Sequence, residues 1–290
     1  MSAHIENTQE FTLSSNDGTQ LFVRDWPLEG SATPQDGVFI MHGLGEHCGR
    51  YAHVARFFNT LGFAVRTYDH RGHGQSGGSR GDVPDTEALL RDARMLLNDF
   101  SKKLQAPPLL FGHSMGGVFA ARFATAGLAP VRALILSSPA LALHMSGLEK
   151  VLLKVASLLI PGLGIPNGLK TRYLSHDAAV VAAYENDALV HGKISARLLN
   201  AMLQAAEFSL QHTAQLTIPV LLLVAQQDHL VDPKGSAAFA KNLNPARAKA
   251  IFYPDFYHEI FNELEATQVF DDLRTWLEQQ HFTPLLAKSA

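Results

Sequence analysis

The chain has 290 residues, long for one domain and short for two full ones, and its 47% hydrophobic and 18% charged content gives ample material for one large core. A formal net charge of −3 with no Lys/Arg-rich run gives no footing for nucleic acid, and the one cysteine, Cys48, excludes an internal disulfide framework and fits a reducing compartment. The polar stretch 1–15 has no apolar core of signal-peptide length, and no apolar run is long enough to span a bilayer, which predicts a cytoplasmic protein.

Residues 11–15 and 20–26 flank Asn16-Asp17-Gly18-Thr19 and read as a β-hairpin, with Asp17-Gly18 supplying the turn. The apolar run 37–41 predicts a buried strand. A helical period over 51–61 stops at Gly62, and a strand follows over 63–68. A long amphipathic helix over 86–104 precedes Pro107-Pro108. Strand 109–112 runs into a turn, and a helix begins near Val118. The runs 133–137 and 220–225 read as two further continuous apolar strands and 248–253 as a last one, and a C-terminal helix covers about 262–279. Strands that are apolar throughout, alternating with helices, mark a mostly parallel central sheet with helices on both faces. The fold class is therefore α/β, with an antiparallel N-terminal hairpin.

Between Ser138 and Pro219 the rhythm breaks, with no convincing strand. Residues 148–160 form a strongly apolar helix that Pro161-Gly162-Leu163-Gly164-Ile165-Pro166 ends, and 194–208 form another. So long a connection points to a helical cap inserted over the C-terminal edge of the sheet; the alternative is two ordinary surface helices and a long loop. This divides the chain into a core, 1–140 and 213–290, and a cap, 141–212.

The turn after strand 109–112 reads Gly112-His113-Ser114-Met115-Gly116. Gly-x-Ser-x-Gly between a buried strand and a helix suits a serine held on a strained turn, because side chains at the flanking positions would collide. The helix start aims free N–H groups at the hydroxyl's surroundings. A tight structural turn is the alternative, so the context decides. A serine nucleophile needs a base, and the base an orienting acid. Strand 220–225 runs into Gln226-Gln227-Asp228, and strand 248–253 is followed by His258. Ser114, Asp228 and His258 then share one sheet edge, in the chain order of an α/β-hydrolase. Asp232 is the fallback acid, and Asp255 is disfavoured by its closeness to His258. For the oxyanion hole, the residue after the nucleophile, Met115, supplies one backbone N–H, and Leu44, in the loop after strand 37–41, the other. Of the 14 histidines, none forms a set at metal-ligand spacing, so no metal and no cofactor are expected.

His42-Gly43-Leu44-Gly45-Glu46-His47 with Arg50-Tyr51, then Asp69-His70-Arg71-Gly72-His73-Gly74-Gln75-Ser76, then Gly112-His113-Ser114-Met115-Gly116-Gly117, resemble the monoacylglycerol lipase and lysophospholipase group of α/β-hydrolases. The resemblance continues through Tyr184-Glu185-Asn186-Asp187-Ala188-Leu189-Val190 to Asp228 and His258, nearly the whole chain in order. The chain departs from the group's pattern at Ala225-Gln226-Gln227, where a glycine is usual, and at Ala188, often proline. The resemblance implies a serine hydrolase that cleaves carboxylic esters of acyl lipids through an acyl-enzyme, with the acyl chain under the cap. It also implies substrate-binding roles for Glu46, Arg50 and Tyr184; each also suits a structural salt bridge or packed ring. The loop 69–76 reads as a structural brace, with Arg71 or His73 as candidates to touch substrate.

The expected partner is a small acyl ester. The 148–160 helix suits an acyl tunnel, transient contact with a membrane surface, or packing on the sheet. Three alternatives stand beside the lipase reading: a peptidase or amidase of the same fold, a small-ester carboxylesterase, and a ligand-binding homologue without turnover. Cys48, near the first loop, is either a bystander or a source of thiol-reagent sensitivity.

Overall fold

The computed structural model describes residues 8–28 and 36–282. Residues 1–7, part of the polar stretch read as free of a signal segment, lie outside the described residues, as do 29–35 and 283–290.

The hairpin is β1 (Gln9–Ser14) and β2 (Gln20–Trp26), antiparallel around Gly18, whose φ of +85° only glycine adopts freely. Then follow β3 (Asp36–Met41), α1 (Ala52–Thr60), β4 (Phe63–Tyr68), α2 (Ala88–Ser101), β5 (Leu109–His113), α3 (Ser114–Thr125) and β6 (Leu134–Ser137). The inserted region contributes α4 (Gly147–Leu159), β7 (Ile165–Pro166), α5 (Ala178–Glu185), β8 (Lys193–Ile194) and the start of α6 (Ala196–His212). The chain closes with β9 (Val220–Ala225), α7 (Pro233–Lys241), β10 (Ala248–Tyr253) and α8 (Ala266–Gln279). The main sheet has the order β1-β2-β4-β3-β5-β6-β9-β10. From β4 to β10 every neighbouring pair is parallel, whereas β2 meets β4 antiparallel.

Alternation along the strands splits the core into two layers. Phe39 and Met41 face the cluster shared with α2, α3 and α6, while Val38 and Ile40 face the one shared with α1 and α8. Burial on both faces is why these strands read as unbroken apolar runs.

The structure departs from the sequence reading in three places. The α5 and α7 helices were not anticipated: one is apolar without a periodic polar face, and the other, capped by Asp232, is short and built of small residues. The inserted region also holds the β7–β8 pair, an antiparallel ladder of two residues on each side. Finally, α6 belongs to both parts. It starts under the cap, capped by Ser195, then lays Leu198, Ala201, Met202 and Ala205 into the core beside α3.

One residue inside an otherwise apolar strand is charged. Arg66 of β4 is fully buried. Its guanidinium is bidentate to Asp25 at 2.7 and 2.8 Å, pairs with Asp99 at 2.8 Å and donates to the Leu96 carbonyl at 3.1 Å, tying α2 to the sheet. Removing one partner of such a pair strands the other in low dielectric. Arg66→Met is expected to cost about 3–5 kcal/mol in urea unfolding. A loss under ~1 kcal/mol would show that Lys103, which also reaches Asp25, suffices alone.

Candidate active site

The site grows from a backbone constraint. Ser114 opens α3 directly after β5, with φ of 53°, a left-handed conformation costly for a residue with a side chain. A Cβ on Gly116 would sit 2.5 Å from the His42 carbonyl oxygen and closer still to that of Met41. One on Gly112 would lie 2.7 Å from Ala120 Cβ. Both glycines are thus required for α3 to start hard against β5 and the end of β3. Met115 N–H, in the first turn of α3, has no acceptor within the helix.

Two strands over, Asp228 follows β9 and His258 follows β10. Asp228 Oδ2 accepts the bond from His258 Nδ1 at 2.6 Å, and Oδ1 accepts the Leu230 and Val231 amides at 2.8 and 3.0 Å. Burial alone would raise the Asp228 carboxyl, but the His258 charge and these donors hold it below the usual carboxylate range. Burial alone would lower His258; Asp228 reverses this and holds the imidazole above its ordinary value. The other two acids are occupied elsewhere: Asp232 caps α7 through Lys234 N–H, and Asp255 accepts from Gln227. With Nδ1 donating to Asp228, Nε2 of His258 is the nitrogen left for a hydroxyl.

The loop after β3 comes up to the serine. A Cβ on Gly43 would lie 3.3 Å from Ser114 Cβ. Gly43 N–H donates to Glu46 Oε1 at 2.6 Å and so is spent. His42 Nε2 accepts the His70 amide at 2.9 Å, which leaves Nδ1–H to donate to the Gly43 carbonyl at 2.8 Å. The Gly43–Leu44 peptide is therefore pinned at its oxygen, and its other end is Leu44 N–H.

Glu46 is the centre of a buried polar network. It accepts from Arg50 at 2.6 Å and from the Tyr51 hydroxyl at 2.6 Å. Arg50 in turn is bidentate to Glu259 at 2.7 and 2.8 Å, and its guanidinium lies 4.8 Å from the centre of the Tyr184 ring. Burial would raise the Glu46 carboxyl, yet the Arg50 charge and the bond from Tyr51 hold it at about 2. His113, packed 4.8 Å from the His258 ring, is pushed down to about 4 by burial and that neighbour, and stays neutral.

A cavity of about 630 Å³ brings Leu44, Glu46, Ser114, Tyr184 and His258 to one wall system. Apolar side chains of α4 and α6, including Leu152, Leu153, Leu199 and Met202, line much of the rest, beside polar ones such as Glu149, Lys170 and His229. Met115 is buried beneath the serine. Arg50 is not on the cavity wall; its donors point to Glu46 and Glu259. Arg71 and His73 do not reach it either: Arg71 is locked to Asp92 at 2.5 and 2.8 Å, and His73 is buried against the Arg71 carbonyl. Cys48 is buried and its thiol is pushed well up by burial, so it stays protonated and unreactive. The helix 148–160 does not pack on the sheet, since α4 has no buried residue. Sequence reasoning missed Glu259 and His113; their neighbours in the motifs, His258 and Ser114, were the only signal.

The Hydrolase_4 family, described as serine aminopeptidase, S33, matches residues 32–265. The chain is 36% identical over 249 residues to a monoacylglycerol lipase of Mycolicibacterium smegmatis, covering 84% of this chain and 88% of that one. It is 33% identical over 286 residues to the monoglyceride lipase of Homo sapiens, covering 93% and 91%. Its structure is similar to the crystal structure of Paleococcus ferrophilus monoacylglycerol lipase, with a TM-score of 0.81 and 31% identity over 89% of this chain and 98% of the other.

A base must be neutral to accept a proton, and His258 is held above its ordinary value by Asp228. Labelling of Ser114 by a fluorophosphonate should therefore rise with pH through a midpoint above that of free imidazole. In Asp228→Asn that midpoint should move to lower pH and the limiting rate should collapse. An unmoved midpoint in the variant would separate Asp228 from the base.

Proposed function

The chain belongs to the Hydrolase_4 (serine aminopeptidase, S33) family of α/β-hydrolases, and from that premise we propose that it hydrolyses carboxylic esters of acyl lipids, of the monoacylglycerol type, with Ser114 as nucleophile. The observation that carries this reading is the cavity: Ser114 and His258 open on the same chamber, whose far walls are apolar cap and core side chains. Its size lies within the ~300–1,000 Å³ range of small-molecule sites, which suits an acyl chain.

The chemistry follows from the geometry. His258 Nε2 takes the hydroxyl proton as Ser114 Oγ attacks the ester carbonyl. Asp228 keeps the proton on Nδ1 and stabilises the imidazolium. Met115 and Leu44 N–H groups bind the tetrahedral oxyanion. His258 then gives its proton to the leaving alcohol, and water repeats the sequence on the acyl-serine. Glu46 and Tyr184, on the cavity wall, serve the polar alcohol end, and Arg50 acts by holding Glu46. Cys48, the one cysteine, suits a reducing, cytoplasmic setting.

Among the described residues no helix is long and apolar enough to cross a membrane. Instead α4 offers an amphipathic face to solvent. Leu148, Val151, Val155, Leu158 and Leu159 recur at helical spacing, and Leu158 is 84% and Leu159 75% exposed. We propose that this face rests on a lipid surface, where long-chain esters reside.

A panel of long-chain monoacylglycerol, lysophosphatidylcholine, p-nitrophenyl esters and an aminoacyl anilide tests the first proposal. Turnover of long acyl esters, lost on the order of 10⁴-fold or more in Ser114→Ala, is expected. Cleavage of the anilide with esters limited to acetate would favour a peptidase instead. For the second, co-sedimentation with phosphatidylcholine vesicles should fall at least several-fold in the double variant Leu158→Glu/Leu159→Glu, with hydrolysis of a water-soluble ester kept. Equal binding by the variant would remove α4 as the contact.

A further inference from the structure

The loop that carries His258 has no regular structure, yet a general base misplaced by ~1 Å can lose about 10²-fold in rate. Asp228 fixes the ring through Nδ1, but a ring bond does not fix the backbone behind it. That backbone is held from outside the core, by the cap. His258 N–H donates to the Tyr173 carbonyl at 3.4 Å, and Glu259 N–H to the Leu174 carbonyl at 2.8 Å. The centre of the contact is one carboxylate. Glu263, just past the 3-10 turn Ile260–Asn262, has a side chain only 1% exposed. Its Oε1 accepts Tyr257 N–H at 2.7 Å and His176 Nδ1–H at 2.9 Å. Its Oε2 accepts His176 N–H at 3.0 Å; the Ser175 hydroxyl, 3.4 Å from Oε2, donates to the Asn262 carbonyl at 2.8 Å. Tyr257 precedes the base, whereas Ser175 and His176 belong to the inserted region. The His176 ring also stacks on the Tyr257 ring at 3.6 Å.

We propose that Glu263 is a positioning residue for His258, clasping the loop of the base to the cap segment 173–176, so that the cap sets the geometry of the proton transfer. The inference rests on the reading of Ser114 and His258 as nucleophile and base. Three N–H donors converge on the carboxylate, two on Oε1 and one on Oε2. Glutamine in the same place keeps one carbonyl oxygen and turns an NH₂ toward the donors of the other, so it breaks part of the clasp.

The test compares Glu263→Gln and His176→Ala with the parent protein on a p-nitrophenyl ester, each rate divided by the active sites titrated with a fluorophosphonate. Glu263→Gln is expected to lower kcat about 10–100-fold with KM within about twofold. His176→Ala, a change at a partly exposed residue that removes one of the three N–H bonds, should move kcat a few-fold in the same direction. The acid limb of kcat should shift to lower pH in both as the Asp228–His258 pair loosens. The other groups facing His258, namely Glu46, His113 and Glu259, are unchanged in these variants. A purely structural Glu263 would lower the titratable fraction and the melting temperature but leave kcat per site and the acid limb where they were, and that result overturns the proposal. If Glu263→Gln does not fold, His176→Ala decides by the same two readouts. Ser114→Ala serves as the control: turnover that survives it sinks the catalytic reading itself, whereas a dead Ser114→Ala beside unchanged Glu263 and His176 variants sinks only the clasp.

Discussion

The contact between the first turn of α3 and the end of β3 is the constraint on which the site depends. Helix and strand approach so closely that position 116 has no room for a Cβ against the Met41 and His42 carbonyls. This closeness holds Ser114 in the left-handed region and sets the Gly43 loop against its side chain. It places the start of a helix, with its unpaired N–H groups, beside a second loop whose next free amide is that of Leu44. The positions of Ser114, Met115 N–H and Leu44 N–H are then consequences of one packing event. Strain of this kind, of order 1–3 kcal/mol per residue, persists only where the surrounding structure over-determines the backbone, and here the parallel sheet on both sides of β5 does so.

The second ordering element is electrostatic. Two carboxylates, Glu46 and Glu259, share one guanidinium beneath the cavity floor. Burying three charges is costly unless their hydrogen-bonding capacity is filled. It is filled by Tyr51, by Gly43 N–H and by the Asn262 amide, which donates to Glu259 at 2.8 Å. The network thereby does mechanical work on the loop. By consuming Gly43 N–H it decides which amide of the glycine-rich turn remains for a substrate oxygen. It also ties the first loop to the residue next to His258, so the two halves of the reacting machinery share one buried ion group.

How much of this the sequence disclosed depends on how far apart the partners lie. The sheet was legible because its central parallel strands, such as β5, β6 and β9, are buried on two faces and appear as nearly unbroken apolar runs. Ser114, Asp228 and His258 were legible because each falls just past such a run, and parallel topology sends all those ends to one edge. The geometry also separated Asp228 from its rivals Asp232 and Asp255, which sequence alone could only rank. Arg66 hid inside an apolar strand, because nothing local announces that Asp25 and Asp99 will meet it. Arg50 and Glu259 are 209 residues apart, and no spacing rule links them. The α5 and α7 helices lack the periodic contrast between faces that makes a helix visible. Glu263 reads as one more acid near a helix start, and only the folded chain shows three N–H donors converging on it.

The segment between β6 and β9 divides into two parts that are packed differently. From residue 171 onward it is bound to the core: Leu174 and Tyr173 carbonyls hold the His258 loop, His191 N–H donates to Gly45 at 2.8 Å, and Arg197 pairs with Asp82. Through α6 it merges with the core beneath. The earlier part is different. α4 has no fully buried residue; Leu153, Ala156 and Ser157 are half-buried where it lies on α6, and Asn200 of α6 donates to Ser157. Its other apolar residues, Leu158 and Leu159 among them, are exposed. Local stability follows the number of buried apolar contacts. On that ground α4, without a fully buried residue, is the less firmly held wall of the chamber, and the segment behind it, bonded through Tyr173 and Leu174 to the loop of His258, is the more firmly held one.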